Sequence, residues 1–366
     1  MFLFKLCDVL SHHINERVLV KYDAQQPNEE WKPLQNLLDI DLLLNKEYKG
    51  LKATLRETIV DSFARYQGTN AHLLRVDRRD RDRAVSALLF GPPGTSKTQV
   101  AKAVARELHW PLLQIDPSHF LKDGFHNIYV QAEHIFEDMI DLDGTVVLFD
   151  ELDGLVKSRD DDRAPLNIEA HFLTTYMLPK LAQLHERGRI VFFMATNVQD
   201  KFDAAIKRAG RFDLLLCMGP PTLDEKCTNM RVFLSPKEDA HAAKEAGERI
   251  REWCREDPWL TIQLELYTFA EFGSLVRSFN AGQDVAQRIL ALEKGDFVSQ
   301  VQTDSATASL QASVLLPLHD SAHALRDMDE VSAEDIESHC NETTNVGKRT
   351  VSYLKDRRAS RNQVGG

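Results

Sequence analysis

Cysteine is scarce in this sequence, and no two cysteines lie at the spacing of a zinc site. The 366 residues include five cysteines, an odd number, and none belongs to a C-x-x-C pair. They are Cys7, Cys217, Cys227, Cys254 and Cys340. This usage disfavours a disulfide framework and a structural zinc site, and it is typical of a reducing compartment. We therefore expect a cytoplasmic protein.

Long hydrophobic runs and an excess of basic residues are also missing. No stretch is long enough to span a bilayer, so we expect no membrane insertion. The first residues, MFLFKLCDVLSHH, are apolar only briefly and reach Asp8 early, which is unlike a signal peptide. The formal net charge of −11 disfavours a general affinity for nucleic acid, while a local basic surface or a basic pore stays open.

Several catalytic signatures are absent as well. The sequence has no N-K-x-D motif after its glycine-rich loop to read guanine, and no G-x-S-x-G motif for a serine nucleophile. Its histidines show no metal-ligand spacing with acidic residues. These absences disfavour a GTPase, a serine hydrolase and a histidine-based metal site.

What the sequence does contain is an alternation of short apolar runs with helical patterns. Strands are predicted at 84–90, 111–116, 145–150, 189–197 and 213–219. Helices are predicted at 46–66, 98–109, 128–140 and 166–188, the last interrupted near Pro179. Strands separated by helices predict an α/β fold with a parallel sheet between two helical layers.

The regions outside this alternation have a different character. Residues 222–345 are largely helical by pattern, and their charged segment 235–257 is predicted to be an exposed helix. The tail, 346–366, is predicted to be disordered. Residues 1–45 are weakly patterned and either pack against the core, which their apolar residues favour, or form a docking element.

The octapeptide GPPGTSKT, residues 91–98, is close to the phosphate-binding pattern G-x-x-x-x-G-K-[ST], with Ser96 in place of the last glycine. Its two glycines allow the backbone to curl so that N–H groups point at phosphate oxygens. Lys97 would then reach the β- and γ-phosphates, and Thr98 would offer its hydroxyl to Mg²⁺. An apolar run precedes the loop and a helix follows it, which is the context that such a loop requires.

A second motif, TVVLFDELD, places Asp150 and Glu151 at the end of a buried strand about fifty residues after the loop. The carboxyl ends of adjacent parallel strands face the ligand in such sheets. Asp150 would therefore hold the hydration shell of Mg²⁺, and Glu151 would polarise the attacking water.

Two further polar features follow along the chain. Asn197 ends the apolar strand containing MATN, where it either orients water near the γ-phosphate or serves as a turn residue. Arg208 and Arg211 lie in DAAIKRAGRFD, residues 203–213. They either stabilise transition-state charge, in cis or in trans, or are surface arginines paired with neighbouring aspartates.

In this order and at this spacing, GPPGTSKT, VVLFDELD, ATN and DAAIKRAGRFD resemble the motifs of the AAA subfamily of AAA+ ATPases. The last stretch is similar to that subfamily's second region of homology, D-P-A-x-x-R-x-G-R-F-D, and departs from it mainly at Ala204. The resemblance implies a single AAA module: a P-loop NTPase three-layer sandwich over 46–221, then an α-helical lid over 222–345.

The resemblance also implies roles for individual residues, with ATP and Mg²⁺ as cofactors. Thr98 and Asp150 would hold the metal, and Glu151 and Asn197 would act on the attacking water. Arg208 and Arg211 look like arginine fingers that reach the ATP of a neighbouring subunit. The residues expected to contact the nucleotide are Gly91, Pro92, Pro93, Gly94, Thr95, Ser96, Lys97, Thr98 and Asp150. Some members of the family, of a bacterial type, also have a serine before this lysine. We therefore expect the loop to bind nucleotide.

The sequence departs from the family pattern in two places. The segment SHFLKDGFHNIYV has no aromatic–hydrophobic–glycine pore loop, because Phe125 follows Gly124 rather than preceding a glycine. In the lid, Gly273 in FGSLV resembles the family's Gly-Ala-Asp adenine contact only loosely. A core-facing helix with one glycine is the other interpretation of that stretch.

These features predict a Mg²⁺-dependent ATPase that works as a homo-oligomeric ring, expected to have six subunits. The first hypothesis for its task is the remodelling of a protein client. The alternative is an ATP-controlled scaffold or switch that activates a partner effector such as a protease. A nucleic-acid motor is a third, weaker alternative, since the chain is acidic.

Overall fold

The fold is described from a computed structural model. It describes residues 13, 15–38, 51–64, 84–91, 93–152, 176–197, 212–218, 220–235, 237–257, 260–261, 264, 267–279 and 284–304. Pro92, Arg208, Arg211 and the tail 346–366 lie outside the described residues. Two compact units are present. The first takes the described residues within 1–37, 52–90 and 97–216, and the second takes those within 38–51, 91–96 and 217–366.

The first unit is built on a five-stranded sheet. Its strands are β1 (Ser86–Phe90), β2 (Leu112–Ile115), β3 (Val146–Phe149), β4 (Val191–Thr196) and β5 (Leu214–Cys217). Their order across the sheet is β2-β3-β4-β1-β5. The pairs β1–β4, β3–β4 and β2–β3 are parallel. The predicted α/β fold of the P-loop NTPase type is confirmed.

Helices accompany these strands in the first unit. They are α1 (Leu51–Leu55), α2 (Asp61–Ala64), α3 (Lys97–Leu108), α4 (Pro117–Phe120), α5 (Ile128–Ile140) and α6 (Leu178–Arg187), with a π-helical turn (Arg56–Val60) joining α1 to α2. Helix α3 buries Val100, Val104 and Leu108, which recur at the four-residue spacing of one helical face. Pro179 lies in the first turn of α6, where its missing N–H leaves no helical hydrogen bond unmade.

The N-terminal residues pack on this first unit at several points. Gln25 forms an antiparallel bridge with Leu112, so the chain covers part of β2, a strand at the edge of the sheet. The backbone N–H of Leu34 donates to Oε1 of Glu107 at 3.1 Å, near the end of α3. The hydroxyl of Tyr22 donates to Asp138 at 2.8 Å, and burial together with that hydrogen bond raises the pKa of Tyr22. These contacts make residues 15–37 an integral part of the first unit.

The second unit is helical. Its helices are α7 (Leu223–Thr228), α8 (Ala240–Glu256), α9 (Phe269–Ser278), α10 (Val285–Ala291) and α11 (Lys294–Asp304). They enclose a hydrophobic core that includes Ile250, Trp253, Phe272 and Phe297. Among the described residues, no helix is both long enough and apolar enough to cross a bilayer.

Helix α8 corrects one expectation. The segment was predicted to be exposed because of its many charged residues, but one face of the helix is buried in the core of the second unit. The buried residues are Ala242, Ala243, Ala246, Gly247, Ile250, Trp253 and Cys254. A Cβ added to Gly247 would lie 2.1 Å from the carbonyl oxygen of Cys227, so α7 and α8 approach closely. The sequence pattern did not reveal this buried face, because most of its residues are small and give it little hydrophobicity.

Candidate functional site

The loop that follows β1 has an unusual backbone. Gly91 has φ of 149° and Gly94 has φ of 80°, both in the region that favours glycine. A Cβ at Gly91 would lie 2.2 Å from the carbonyl oxygen of Met218, a distance that no real side chain tolerates. Glycine is therefore required at Gly91 for two reasons, its dihedral angle and the space available.

Ser96 also has a left-handed backbone, with φ of 68°. A non-glycine residue in this conformation costs roughly 1–2 kcal/mol. The loop thus keeps the backbone shape that glycine would adopt at this position, although a serine occupies it. Strain of this kind persists only where the surroundings enforce it, and it is concentrated at functional sites.

The apex of the loop contacts the first turn of α9, within the second unit. The carbonyl oxygen of Gly94 accepts a hydrogen bond of 3.2 Å from the backbone N–H of Ala270. Thr268 and Glu271 form a reciprocal capping box around that turn. Gly273 lies elsewhere, since a Cβ there would meet Arg277 and Phe233. The capping-box pattern T-x-x-E, rather than the glycine, was the signal that marks this contact.

Lys97 and Thr98 begin α3 directly after the loop. The side chain of Lys97 is buried, and that of Thr98 is half-buried. The hydroxyl of Thr98 donates to Oδ2 of Asp150 at 3.0 Å. Asp150 follows β3 directly, so this hydrogen bond joins the two motifs that the sequence analysis singled out.

The carboxylate of Asp150 receives two further donors. Nε2 of Gln114 lies 3.3 Å from the same Oδ2, and the backbone N–H of Glu151 lies 3.0 Å from Oδ1. Glu151 itself is exposed and has φ of 54°, a second strained position at this edge of the sheet. The side chain of Glu151 is thus available to solvent beside a carboxylate held by hydrogen bonds.

The oxygen atoms of Thr98 and Asp150 suit Mg²⁺, which prefers hard oxygen ligands and retains several waters. The described residues contain no cluster of three or more His, Cys, Asp or Glu side chains that could hold a metal on its own. Magnesium ions at phosphate sites are usually held by one or two protein oxygens and by substrate phosphates rather than by an all-protein cage.

Asn197 directly follows β4 and is exposed. Since β4 lies between β3 and β1 in a parallel arrangement, the carboxyl ends of β3 and β4 are neighbours in the first unit. The chain therefore brings Asp150, Glu151 and Asn197 to one edge of the sheet.

In the loop, Pro93 and Gly94 are exposed and Thr95 is buried.

The sequence analysis missed a polar network around Asp213. Its Oδ2 accepts hydrogen bonds from the backbone N–H groups of Val85 and Ser86 at 2.8 and 3.1 Å, and from the Ser86 hydroxyl. Its Oδ1 lies 2.7 Å from Nε2 of His185. Asp213 thus binds the start of β1 and His185, while the two arginines that the sequence analysis considered as its partners lie outside the described residues.

Charge and burial act together on this pair. The hydrogen bond that His185 donates to Asp213 raises the pKa of His185, although burial opposes the shift. Burial by itself would raise the pKa of Asp213, yet the hydrogen bonds from His185 and Val85 bring it below its ordinary value. Both shifts favour the charged forms of the two side chains.

Phe125 lies in a short 3₁₀ helix (Phe125–Asn127) after Gly124. Phe125, Tyr129 and Val130 are the large hydrophobic side chains exposed on this stretch of the first unit, at 38%, 36% and 53%. The packing of Tyr129 edge-on against Tyr176 covers part of one ring. We call these three residues the apolar patch.

Comparison with known proteins places the loop and the strands around it in one family. The family described as ATPase family associated with various cellular activities (AAA) matches residues 87–220. That range includes the loop, Asp150, Glu151 and Asn197. The resemblance inferred from the sequence motifs is thereby confirmed.

Individual relatives cover parts of the chain. Protein Ycf2 of Mesostigma viride is 26% identical over 243 residues, 59% of this chain and 27% of that protein. Proteasome-activating nucleotidase 1 of Haloferax volcanii is 32% identical over 137 residues, 37% of this chain and 34% of that protein. The ATP-dependent zinc metalloprotease FtsH of Mycoplasmopsis pulmonis is 33% identical over 144 residues, 38% of this chain and 19% of that protein.

The matched region therefore spans between 19% and 34% of the length of these three relatives. Among solved structures, one described as the structural basis for katanin self-assembly has a TM-score of 0.45 and 15% identity. It covers 78% of this chain and 90% of that chain.

Proposed function

We propose that this chain, whose residues 87–220 match the AAA family of ATPases, binds Mg²⁺·ATP in the loop 91–98 and hydrolyses it. The observation that carries the proposal is the 3.0 Å hydrogen bond between Thr98 and Asp150. A phosphate-binding loop works with a metal-binding carboxylate from a second motif, and the contact of Asp150 with Thr98, at the start of α3, supports that assignment.

Each residue of the site has a task in this proposal. The backbone N–H groups of the loop and the ammonium group of Lys97 bind the phosphates. Thr98 and Asp150 hold Mg²⁺, which when bound neutralises the charge that develops on the phosphoryl oxygens. Glu151 orients and polarises the attacking water, and Asn197 hydrogen-bonds to that water.

We further propose that the chain acts as a homo-oligomeric ring, a hexamer, in the cytoplasm. Arg208 and Arg211 support this proposal through their place in the sequence, since guanidinium groups contributed in trans stabilise the transition-state charge of phosphoryl transfer. The test is sedimentation of the Glu151→Gln variant with and without ATP. We expect ATP-dependent assembly, and loss of ATP turnover in the double variant Arg208→Ala/Arg211→Ala. A chain that stays monomeric when saturated with ATP would refute the ring.

The ring would remodel a protein client. The apolar patch supports this task, because an exposed aromatic side chain offers a grip on polypeptide of varied sequence. Two relatives, a proteasome-activating nucleotidase and an ATP-dependent zinc metalloprotease, have names that link nucleotide use to proteolysis. The test is Phe125→Ala: loss of client processing with intact ATPase activity supports remodelling.

The alternative is a nucleotide-controlled scaffold that activates a partner effector such as a protease. It is favoured by the order Gly124-Phe125, which departs from the aromatic–hydrophobic–glycine signature. An unchanged activity of the Phe125→Ala variant on its client or effector would favour this function instead. Either outcome leaves ATP hydrolysis in place, so the two functions can be separated by one variant.

A further inference from the structure

Gln114 is the polar residue of β2, whose other residues, Leu112, Leu113 and Ile115, are buried and apolar. Its side chain is half-buried. Gln114 pairs in register with Leu148 of β3, two residues before Asp150. Because side chains alternate between the faces of a strand, residues 114 and 150 lie on the same face. The amide of Gln114 is thereby brought within 3.3 Å of the Asp150 carboxylate.

The carboxylate of Asp150 is held from two sides. Thr98 on α3 and Gln114 on β2 both donate to Oδ2. The hydroxyl of Thr98 uses its only proton in this bond, and its lone pairs remain able to bind a cation. A glutamine amide carries two N–H donors and no charge, so Gln114 can orient the carboxylate without competing with a cation for it.

We infer that Gln114 is a positioning residue for Mg²⁺·ATP binding, acting through Asp150. This inference rests on the proposed function, and it extends that function to a residue outside the four motifs. The amide keeps the carboxylate turned towards Thr98 before Mg²⁺ arrives, so less ordering remains to be done when the ion binds. Without the amide, the carboxylate would rotate more freely and a higher Mg²⁺ concentration would be needed.

The test measures Mg²⁺ binding without turnover. The purified full chain is mixed with a saturating non-hydrolysable ATP analogue, and Mg²⁺ is titrated while the melting temperature is followed. The measured quantity is the Mg²⁺ concentration that gives half of the Mg²⁺-dependent rise in melting temperature. Gln114→Met keeps the length of the side chain and removes the amide. Gln114→Asn keeps an amide but shortens the side chain, and it serves if the first variant folds poorly.

A matched control removes a polar group from the same sheet at the other end of β3. Thr145 is buried, and its hydroxyl donates to the backbone oxygen of Asp143 at 3.3 Å. Thr145→Val should lower the melting temperature without ligand and leave the Mg²⁺ midpoint unchanged. A lower melting temperature with an unchanged Mg²⁺ midpoint is therefore the result expected of a variant that only loses packing.

We expect the Mg²⁺ midpoint to rise about 3- to 10-fold in Gln114→Met and in Gln114→Asn, the effect of losing one hydrogen bond of typical net strength. A midpoint equal to that of the Thr145→Val control would overturn the role of Gln114 while leaving the proposed function intact. If the unchanged protein shows no Mg²⁺-dependent rise at all, the proposed function itself is wrong. The three results are distinct.

Discussion

Thr98 and Asp150 are 52 residues apart in the chain and are joined by a 3.0 Å hydrogen bond between Oγ1 and Oδ2. Thr98 lies in the first turn of α3, which follows β1, and Asp150 follows β3. Strand β3 lies between β2 and β4, so it is not adjacent to β1. Only the folded sheet brings them together. The pair therefore joins the start of α3 to the end of β3 within the first unit.

The first prediction concerns the hydroxyl of Thr98. Replacement by valine keeps the shape of the side chain and removes the oxygen atom that we assign to Mg²⁺. We expect Thr98→Val to lower the Mg²⁺-dependent ATPase rate about 100-fold, the scale seen when one group that stabilises transition-state charge is removed. The rate is measured by phosphate release.

Thr98→Ser is the matched control, because it keeps the hydroxyl and removes only a methyl group. Its rate should stay within about 5-fold of the unchanged protein, since the ligand oxygen is retained. Equal losses in the valine and serine variants would show that packing, and not the hydroxyl, matters at this position.

The second prediction concerns the space around Gly91. Gly91→Ala should abolish ATP binding, because its Cβ would lie 2.2 Å from the carbonyl oxygen of Met218 and the loop must move. Gly124→Ala is the control, since Gly124 also has a positive φ, 84°, but nothing lies within 4 Å of its added Cβ. Binding is measured by the quenching of a fluorescent ATP analogue.

A loop that tolerates alanine at Gly91 would contradict this account of the close approach. The comparison separates a steric clash from backbone strain, because both variants carry the strain and one alone carries the clash. We expect Gly124→Ala to lose about 1 kcal/mol of stability and to bind ATP normally.

The third prediction concerns the strained backbone of Ser96. In Ser96→Gly the strain is relieved, while the unfolded chain gains freedom worth about 0.5–1 kcal/mol, so stability should change by less than about 1 kcal/mol. In Ser96→Val a β-branched side chain meets φ of 68°, and we expect a loss of about 2 kcal/mol or more. Urea unfolding measures both. A valine variant as stable as the glycine variant would contradict the left-handed conformation.

The fourth prediction concerns pH and the pair His185–Asp213. The pKa of His185 is raised above its ordinary value of 6.5, so its contribution to stability is complete below about pH 6.5 and is lost as pH rises through the folded pKa. The pKa of Asp213 is lowered below 3.8, so its contribution is present above that value and is lost as pH falls through the folded pKa. The pair should therefore stabilise most between about pH 4 and pH 6.5.

His185→Gln should show this window. We expect the difference in unfolding free energy between the unchanged protein and the variant to be about 1 kcal/mol larger at pH 5.5 than at pH 9. Glu186 also raises the pKa of His185, and its interaction with the imidazolium is lost in the variant too, so it contributes to this difference. A difference that does not vary with pH would show that the pair is not charged.

Much of the fold was predictable from the sequence because buried parallel strands are continuous apolar runs. All five predicted strands are present, and α5 begins and ends where the pattern of residues 128–140 predicted. Asp150 and Glu151 could be assigned for the same reason, since their place after a strand fixes the edge on which they lie.

The rest depended on contacts between distant residues. Nothing near Gln114 in the sequence reveals that β2 lies beside β3, and nothing near His185 reveals that Asp213 is its partner. The burial of one face of α8 could not be read from the hydrophobic pattern, because several residues of that face are alanines. The contact of the loop with α9 is made by a backbone N–H at Ala270, which any residue except proline supplies, so the residue type gave no signal for it.

The most direct test of the central claim, that ATP is hydrolysed at this edge of the sheet, is the turnover of Mg²⁺·ATP by Glu151→Gln at saturating nucleotide. Glutamine keeps the size and hydrogen bonding of the side chain but cannot polarise water as a carboxylate does. We expect ATP to bind as tightly as in the unchanged protein while the turnover rate falls about 100-fold or more, within the range for loss of a general base. Equal turnover rates in the two proteins would contradict the account.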